Sequence, residues 1–442
     1  YDEYLDALIG AVAPIYEDLV LDGNAEDPDG AICWDYSVQK PSKGAGGLNY
    51  YYFKYDWRLS PMEIADQLDV YVERVLNATG AKHVNIHCRC LGVNMAMTYV
   101  AKSYNGDYNH EFRVKNIMLD TGGLAGYITL GSLLSGSIEL KPDTVDRFVS
   151  DFLGGGELID DPALAMFAYT LVSLMNYAEV LDLGVDFVQD IIDKISDDLI
   201  SPLALCCYGG YPSYWSMVSD KFYDKAINKV FNTPELKEEY KVFIEKTNAY
   251  HALLGDINEE TGRPLHEDLL LNLKADGVGI AVVAKYGAPC VPLFADSELT
   301  GDVRGTVTEL SFGATGTEIG KTFSEDYLKA AEKNGTAKYI SPDKTVDAST
   351  SLFPETTWFI KNIKHDQFPD FFRTLFNDFC KSDGQMTVFD NEKYPQYFDY
   401  VDGKVIIDEG EEEDFAWTND PIKLLFRFLT GLIGLITKLF NK

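Results

Sequence analysis

The sequence predicts an α/β fold, with a mostly parallel sheet interrupted by a large helical insertion. Three observations predict it. The β-branched run at 82–88 leads through a glycine into the helical run VNMAMTYVAKSY and then into a second strand-like run, VKNIMLD, at 114–120. Residues 127–272 carry long helical patterns and few strand signals, and strand patterns resume at 277–287. Strand, helix and strand in that order imply a parallel pair joined by a crossover. Four segments follow: a first part of the core at 1–126, a helical cap at 127–272, a second part of the core at 273–407, and an acidic linker with an amphipathic helix at 408–442.

Composition sets the class. The 442 residues include 38 basic and 70 acidic side chains, for a formal charge of −32, with 46% hydrophobic and 13% aromatic positions. That apolar fraction offsets ordering entropy and excludes a disordered acidic tail. The acidic excess argues against nucleic acid, where Lys and Arg must neutralise phosphates. Seven cysteines, an odd number spread over the whole chain, do not make a small disulfide framework. The segment from Tyr1 lacks a basic stretch leading into an apolar one, so the compartment stays open, a membrane-surface or extracytoplasmic one included.

The elements follow in order. Leu5, Leu8, Ile9, Val12, Ile15, Tyr16, Leu19 and Val20 recur at helical spacing and predict a helix over 4–20. The acidic loop after it, Asp22 to Gly30, fails as a calcium loop, because positions six and twelve hold Asp27 and Cys33 rather than Gly and Glu. Residues 50–61 read as a strand ending in a loop, and 62–77 as a helix through Ile64, Leu68, Tyr71 and Val75. Beyond the strand at 277–287, short β-like runs lie around 306–312, 338–340 and 357–363.

The chemistry concentrates at His87-Cys88-Arg89-Cys90-Leu91-Gly92, between a strand and a helix. A nucleophile elbow has the pattern small-x-nucleophile-x-Gly at such a turn, which thrusts the nucleophile out above the sheet. Cys90 occupies the nucleophile position. The helix start beside it lowers a thiol pKa, and the backbone N–H of Leu91 is one oxyanion donor. The competing reading makes Cys88 and Cys90 buried small residues. A metal site through His87, Cys88 and Cys90 lacks a second cluster at zinc spacing, and no metal or organic cofactor is implied.

A thiol nucleophile needs a base, and the base needs an orienting carboxylate. Asp343, in the loop Ser341-Pro342-Asp343-Lys344-Thr345-Val346-Asp347, is the expected acid, with Asp347 its rival; His365, after the strand-like TTWFIKNIK, is the expected base. Nucleophile, acid, histidine is the α/β-hydrolase order.

These motifs, with Lys54-Tyr55-Asp56-Trp57-Arg58-Leu59-Ser60-Pro61, resemble those of the lecithin:cholesterol acyltransferase-like proteins. The Tyr-Asp-Trp-Arg segment, the elbow, Tyr286-Gly287, the Asp343 loop and His365 together span roughly residues 50–365. The resemblance implies an α/β-hydrolase fold with a helical cap, and cleavage or transfer of acyl chains of lipids. Three departures accompany it. The family usually carries Ser at the position of Cys90 and Gly at that of Cys88, and its first strand and Gly-containing oxyanion loop have no counterpart in residues 1–49, so the second oxyanion donor is absent or unconventional. A Cys–His–Asp set also resembles polyhydroxyalkanoate synthases and dienelactone hydrolases.

The C-terminal run PIKLLFRFLTGLIGLITKLFNK has too short an uncharged core to span a bilayer, which takes about 20 residues. Lys423, Arg427, Lys438 and Lys442 fall within a stripe of about 100° on a helix. That suits a helix lying in a membrane interface, or equally one docked on its own domain or a second subunit. Gly320-Lys321-Thr322 is a chance fragment of a phosphate loop, with Thr315 where its first Gly belongs. The expected activity is acyl hydrolysis or transfer on lipid-like esters or thioesters. A lipid-binding or interaction protein that keeps the fold, and a hydroxyacyl-thioester polymer synthase, are the alternatives.

Overall fold

The computed structural model describes residues 9–10, 12–14, 16–28, 42–43, 49–154 and 180–410. Its centre is a sheet of six strands: β1 Val84–Arg89, β2 Val114–Asp120, β3 Gly279–Tyr286, β4 Thr357–Lys361, β5 Tyr397–Val401 and β6 Lys404–Ile407. The strands lie side by side in chain order; β1 to β5 are parallel, and β6 returns antiparallel along β5. Register brings the C-terminal ends together, with Arg89 opposite Asp120, Asp120 opposite Val283, and Lys361 opposite Tyr286.

Period-two alternation gives the sheet two buried faces. Ile117, Leu119, Ile280 and Val282 pack on one side, beneath helices α1 Pro61–Thr79, α2 Leu91–Asn105 and, from after the insertion, Leu265–Ala275. Their neighbours Met118, Ala281 and Val283 face the other side, against Phe372, Leu375, Phe376 and Phe379 of the helix Asp370–Lys381. The sheet is therefore the middle of three layers. Helix α1 shows how locally the outer layer is specified: Ser60 and Glu63 form a reciprocal capping box, Pro61 opens the helix, and Gly80 closes it at φ 69.

Helical residues at 9–10, 12–14 and 16 fall within the expected first helix, which gives way to a turn at 17–19; residues 4–8, 11 and 15, and the helix expected at 421–442, lie outside the described residues. Between β2 and β3 the described elements are helical, among them Ile128–Ser135, Pro142–Gly154, Val180–Leu205, Asp220–Val230 and Lys241–Tyr250. Trp215, Phe222, Phe231 and Phe243 of this insertion join Leu59, Ile64 and Met95 in one apolar cluster, which seats it on the starts of α1 and α2.

Three local expectations change. The strand expected at 50–61 is a two-residue pairing, Asn49–Tyr50 with Ser42–Lys43, followed by irregular chain and a turn at 57–58. Around 306–312 the chain makes a helical turn, Val307–Leu310, because Thr306 and Glu309 form a capping box that overrides the β-branched residues. At 338–340 it makes a 3-10 turn, Ala337–Tyr339. Among the described residues no helix is long and apolar enough to cross a membrane.

Candidate active site

Cys90 stands between β1 and α2 at φ 48, ψ −131. A side chain with a Cβ rarely adopts a positive φ, at a cost of about 1–3 kcal/mol, so the surroundings must hold it. They do: the Cys90 N–H donates to the Asp120 carbonyl at 3.2 Å, and the Cys90 carbonyl accepts from Val93 N–H at 3.0 Å. The loop after β2 presses close, since a Cβ on Gly122 would come within 2.6 Å of the Val93 side chain. The sequence and the turn geometry agree on a strand–elbow–helix unit that projects one side chain from the end of the sheet.

Leu91 is the first residue of α2, and its backbone N–H is one of the groups that lower the Cys90 thiol pKa. The Tyr55 hydroxyl reaches the same helix start, 3.4 Å from where a Cβ on Gly92 would sit. Burial, then the fields of Cys90 and Cys88, push the Tyr55 phenol up to about 12, so it stays a proton donor. The chain around Tyr55 is anchored by Arg58, buried with two carboxylates: its Nη2 lies 2.5 Å from Asp27 and 2.7 Å from Asp56. The Tyr-Asp-Trp-Arg segment is thus a rigid strap beside the elbow.

His365 follows β4, and its Nε2 lies 2.9 Å from the Cys90 sulfur. Its Nδ1 lies 2.6 Å from Asp302 Oδ2. The carboxylate partner is therefore Asp302, which corrects the expectation of Asp343. Asp302 is fully buried, its Oδ1 accepts the N–H groups of Arg304 and Gly305 at 3.1 and 3.0 Å, and its carbonyl accepts the His365 N–H at 3.0 Å. Asp343 spends its Oδ1 inside its own loop, accepting from Ser341 Oγ at 2.5 Å and from the Thr345 hydroxyl and N–H at 2.8 and 3.2 Å. Asp347, the rival, accepts from the Tyr327 hydroxyl and the Ser349 N–H.

The electrostatics separate charge between thiol and imidazole. Burial alone would raise the Cys90 pKa, yet the hydrogen bond and charge of His365, the Leu91 N–H and Arg304 bring it below the ordinary thiol value. Burial alone would lower His365, but the charge of Asp302, the bond to it and the contact with Cys90 raise it to about 9. The two shifts run in opposite directions and both favour charge separation between the thiol and the imidazole. Cys88 differs: burial and the Asp120 charge push its thiol up, and its sulfur donates to the Met118 carbonyl at 3.3 Å. His87 and Arg89 both contact Asp120 Oδ2 at 3.0 Å. Among the described residues no group of three His, Cys, Asp or Glu side chains is placed to hold a metal ion.

The cap is tied to the acid loop. Glu309, a few residues past Asp302, accepts the Ile128 N–H of the first cap helix at 2.6 Å, and burial raises its carboxyl to about 7. Buried Tyr127 packs edge-on against His365, while Tyr211 and Tyr214 pack edge-on against Trp57, which is 38% exposed. Two cavities lie elsewhere, one of 420 Å³ lined by Lys141, Arg147 and Glu298 and one of 150 Å³ lined by Leu124, Ser219 and His266. No family model, curated protein or solved structure matches the chain.

Proposed function

We propose that this protein is an α/β-hydrolase-type acyl hydrolase or acyltransferase that acts on lipid-like esters or thioesters through a Cys90–His365–Asp302 triad. The observation that carries the reading is the continuous contact from Cys90 sulfur through both ring nitrogens of His365 to a fully buried carboxylate. Sheet order and the strand-to-helix elbow support the fold assignment.

The chemistry follows from the charges. The Cys90 thiolate attacks the substrate carbonyl carbon, and the carbonyl π electrons move onto oxygen. That oxyanion faces the Leu91 N–H and the Tyr55 hydroxyl as two donors. The imidazolium of His365 gives its proton to the departing alkoxide or thiolate as the carbonyl re-forms, leaving an acyl-thioester on Cys90. Water or an alcohol then attacks, its proton passes to His365, and the Cys90 thiolate is expelled. Asp302 holds Nδ1–H throughout and stabilises the imidazolium. The exposed Trp57 ring, packed edge-on against Tyr214, supplies apolar surface for an acyl chain.

Intact-mass spectrometry tests this on the full chain and on Cys90→Ala. Incubation with iodoacetamide, with a fluorophosphonate and with p-nitrophenyl esters of increasing chain length is expected to place adducts at Cys90 and to show turnover that the variant lacks. Equal turnover by a folded Cys90→Ala protein, or the absence of any Cys90-dependent acyl adduct, would overturn the proposal.

A further inference from the structure

Lys285 lies in β3 and is 1% exposed, with no carboxylate within ion-pair distance among the described residues. Its ammonium donates to three carbonyls of a single loop: Lys364 at 3.1 Å, His365 at 2.7 Å and Gln367 at 2.7 Å. The Phe368 ring of the same loop lies 4.0 Å from the nitrogen, and its other neighbour is the Arg89 guanidinium at 5.1 Å. Phe368 in turn packs edge-on against the His365 ring at 6.3 Å.

Burying a cation without a partner carboxylate is costly, and a methionine of similar length would fill the space without that cost. What the ammonium adds is direction. Three successive donors converge on the loop that carries the base, and two cations hold one ring between the nucleophile strand and β3. The charged or titratable groups around Lys285 are Asp120, Asp302, Cys90 and Arg89; it is flanked by the reacting set without touching its sulfur.

We propose that Lys285 is a positioning residue for His365, gathering the 364–367 carbonyls so that Nε2 stays on the Cys90 sulfur. The proposal rests on the reading of Cys90 and His365 as the reacting pair. It goes beyond the triad by assigning the geometry of the base to a lysine that never meets substrate.

The test compares the full chain with Lys285→Met, Lys285→Arg and Phe368→Leu. Two readouts apply: the pH profile of Cys90 alkylation by iodoacetamide, followed by mass, and kcat and KM on a p-nitrophenyl ester. In Lys285→Met the acid limb of alkylation is expected to move up toward that of an ordinary thiol, and kcat to fall on the order of 100-fold with KM nearly unchanged, as for a misplaced catalytic group. Lys285→Arg, which keeps charge and donors, is expected to recover much of both. A folded Lys285→Met protein with the parent profile and kcat would overturn the proposal. Should Lys285→Met not fold, Phe368→Leu decides: a shifted acid limb supports the clamp, and an unshifted one overturns it. If the parent protein turns over no ester, the acyl-transfer reading falls, while alkylation, which needs no substrate, still decides the role of Lys285.

Discussion

Replacing Asp302 by Asn separates the structure from the motif resemblance most directly. The Asp302 carboxylate lies 2.6 Å from His365 Nδ1, inside a site where both side chains are at most 4% exposed. His365 stands at about 9 against an ordinary 6.5, and Asp302 is the larger of the two influences that raise it, ahead of Cys90. At about 1.4 kcal/mol per unit, the elevation represents on the order of 3 kcal/mol in favour of the imidazolium. An amide keeps the shape and loses the charge, so most of that is expected to vanish, with a fall of about 100-fold in the population of the ion pair near neutral pH. The alkylation of Cys90 by iodoacetamide should then start at a pH closer to that of a free thiol, and kcat/KM on a p-nitrophenyl ester should fall by at least the same order. The matched control is Asp343→Asn, which removes the charged acceptor of Ser341 and Thr345 and is expected to cost about 1 kcal/mol of stability with kcat unchanged. The reasoning is refuted if Asp302→Asn keeps the parent alkylation profile and kcat while folded Asp343→Asn loses activity.

Two further outcomes follow from single side chains. Tyr55→Phe removes one oxyanion donor while leaving the triad intact, so kcat for acyl transfer should drop by about 10²–10³ while iodoacetamide, whose reaction forms no oxyanion, alkylates Cys90 at the parent rate; parallel losses in both assays would exclude Tyr55 from that role. Glu309, raised to about 7 from 4.5 by burial, favours the protonated form when folded, so its contribution to stability is fully present below about 4.5 and is lost as pH rises through 7; denaturant titrations across pH 4–8 should show that decline in the parent and a flatter profile in Glu309→Gln, and identical slopes would contradict the burial argument.

The elbow and the base were legible because their signals are local. A glycine two residues after Cys90, a β-branched run before it and a helical run after it lie within a few turns of chain, and His365 sits just past β4. The acid was not legible for a specific reason. Asp302 and Asp343 each head a loop in which the carboxylate accepts the N–H two residues on, so both carry the same short-range sequence signature. What separates them is the pairing of the Asp302 carbonyl with the N–H of His365, a contact between residues 63 positions apart, which no local pattern encodes. The Asp343 loop carries the motif resemblance, yet its carboxylate accepts bonds within its own loop. Likewise the run around 306–312 reads as β-like, and the capping box of Thr306 with Glu309 makes Val307–Leu310 a helical turn. The helix Asp370–Lys381 has a readable apolar stripe; the five- and four-residue strands after it do not, because pairing, of β5 with β4 and of β6 with β5, rather than their own pattern defines them.

Cysteine at position 90, where the resembling family carries serine, changes the resting chemistry of the site. A serine hydroxyl beside an imidazole stays neutral until substrate arrives, and the histidine then acts as base for the attack. A thiol with its pKa lowered, set against an imidazole raised to about 9, is biased toward giving up its proton before substrate arrives. Under the proposed mechanism the buried Asp302 favours the imidazolium, and the Leu91 N–H favours the thiolate, before any substrate binds. Under that mechanism part of the activation is stored in the folded protein, beside the strained φ at Cys90 and the buried Lys285 ammonium held by three carbonyls. A site built this way must hold its base rigidly, because a small displacement of His365 lets the thiolate take up a proton, and the loop from 364 to 368 is where this fold concentrates its restraints.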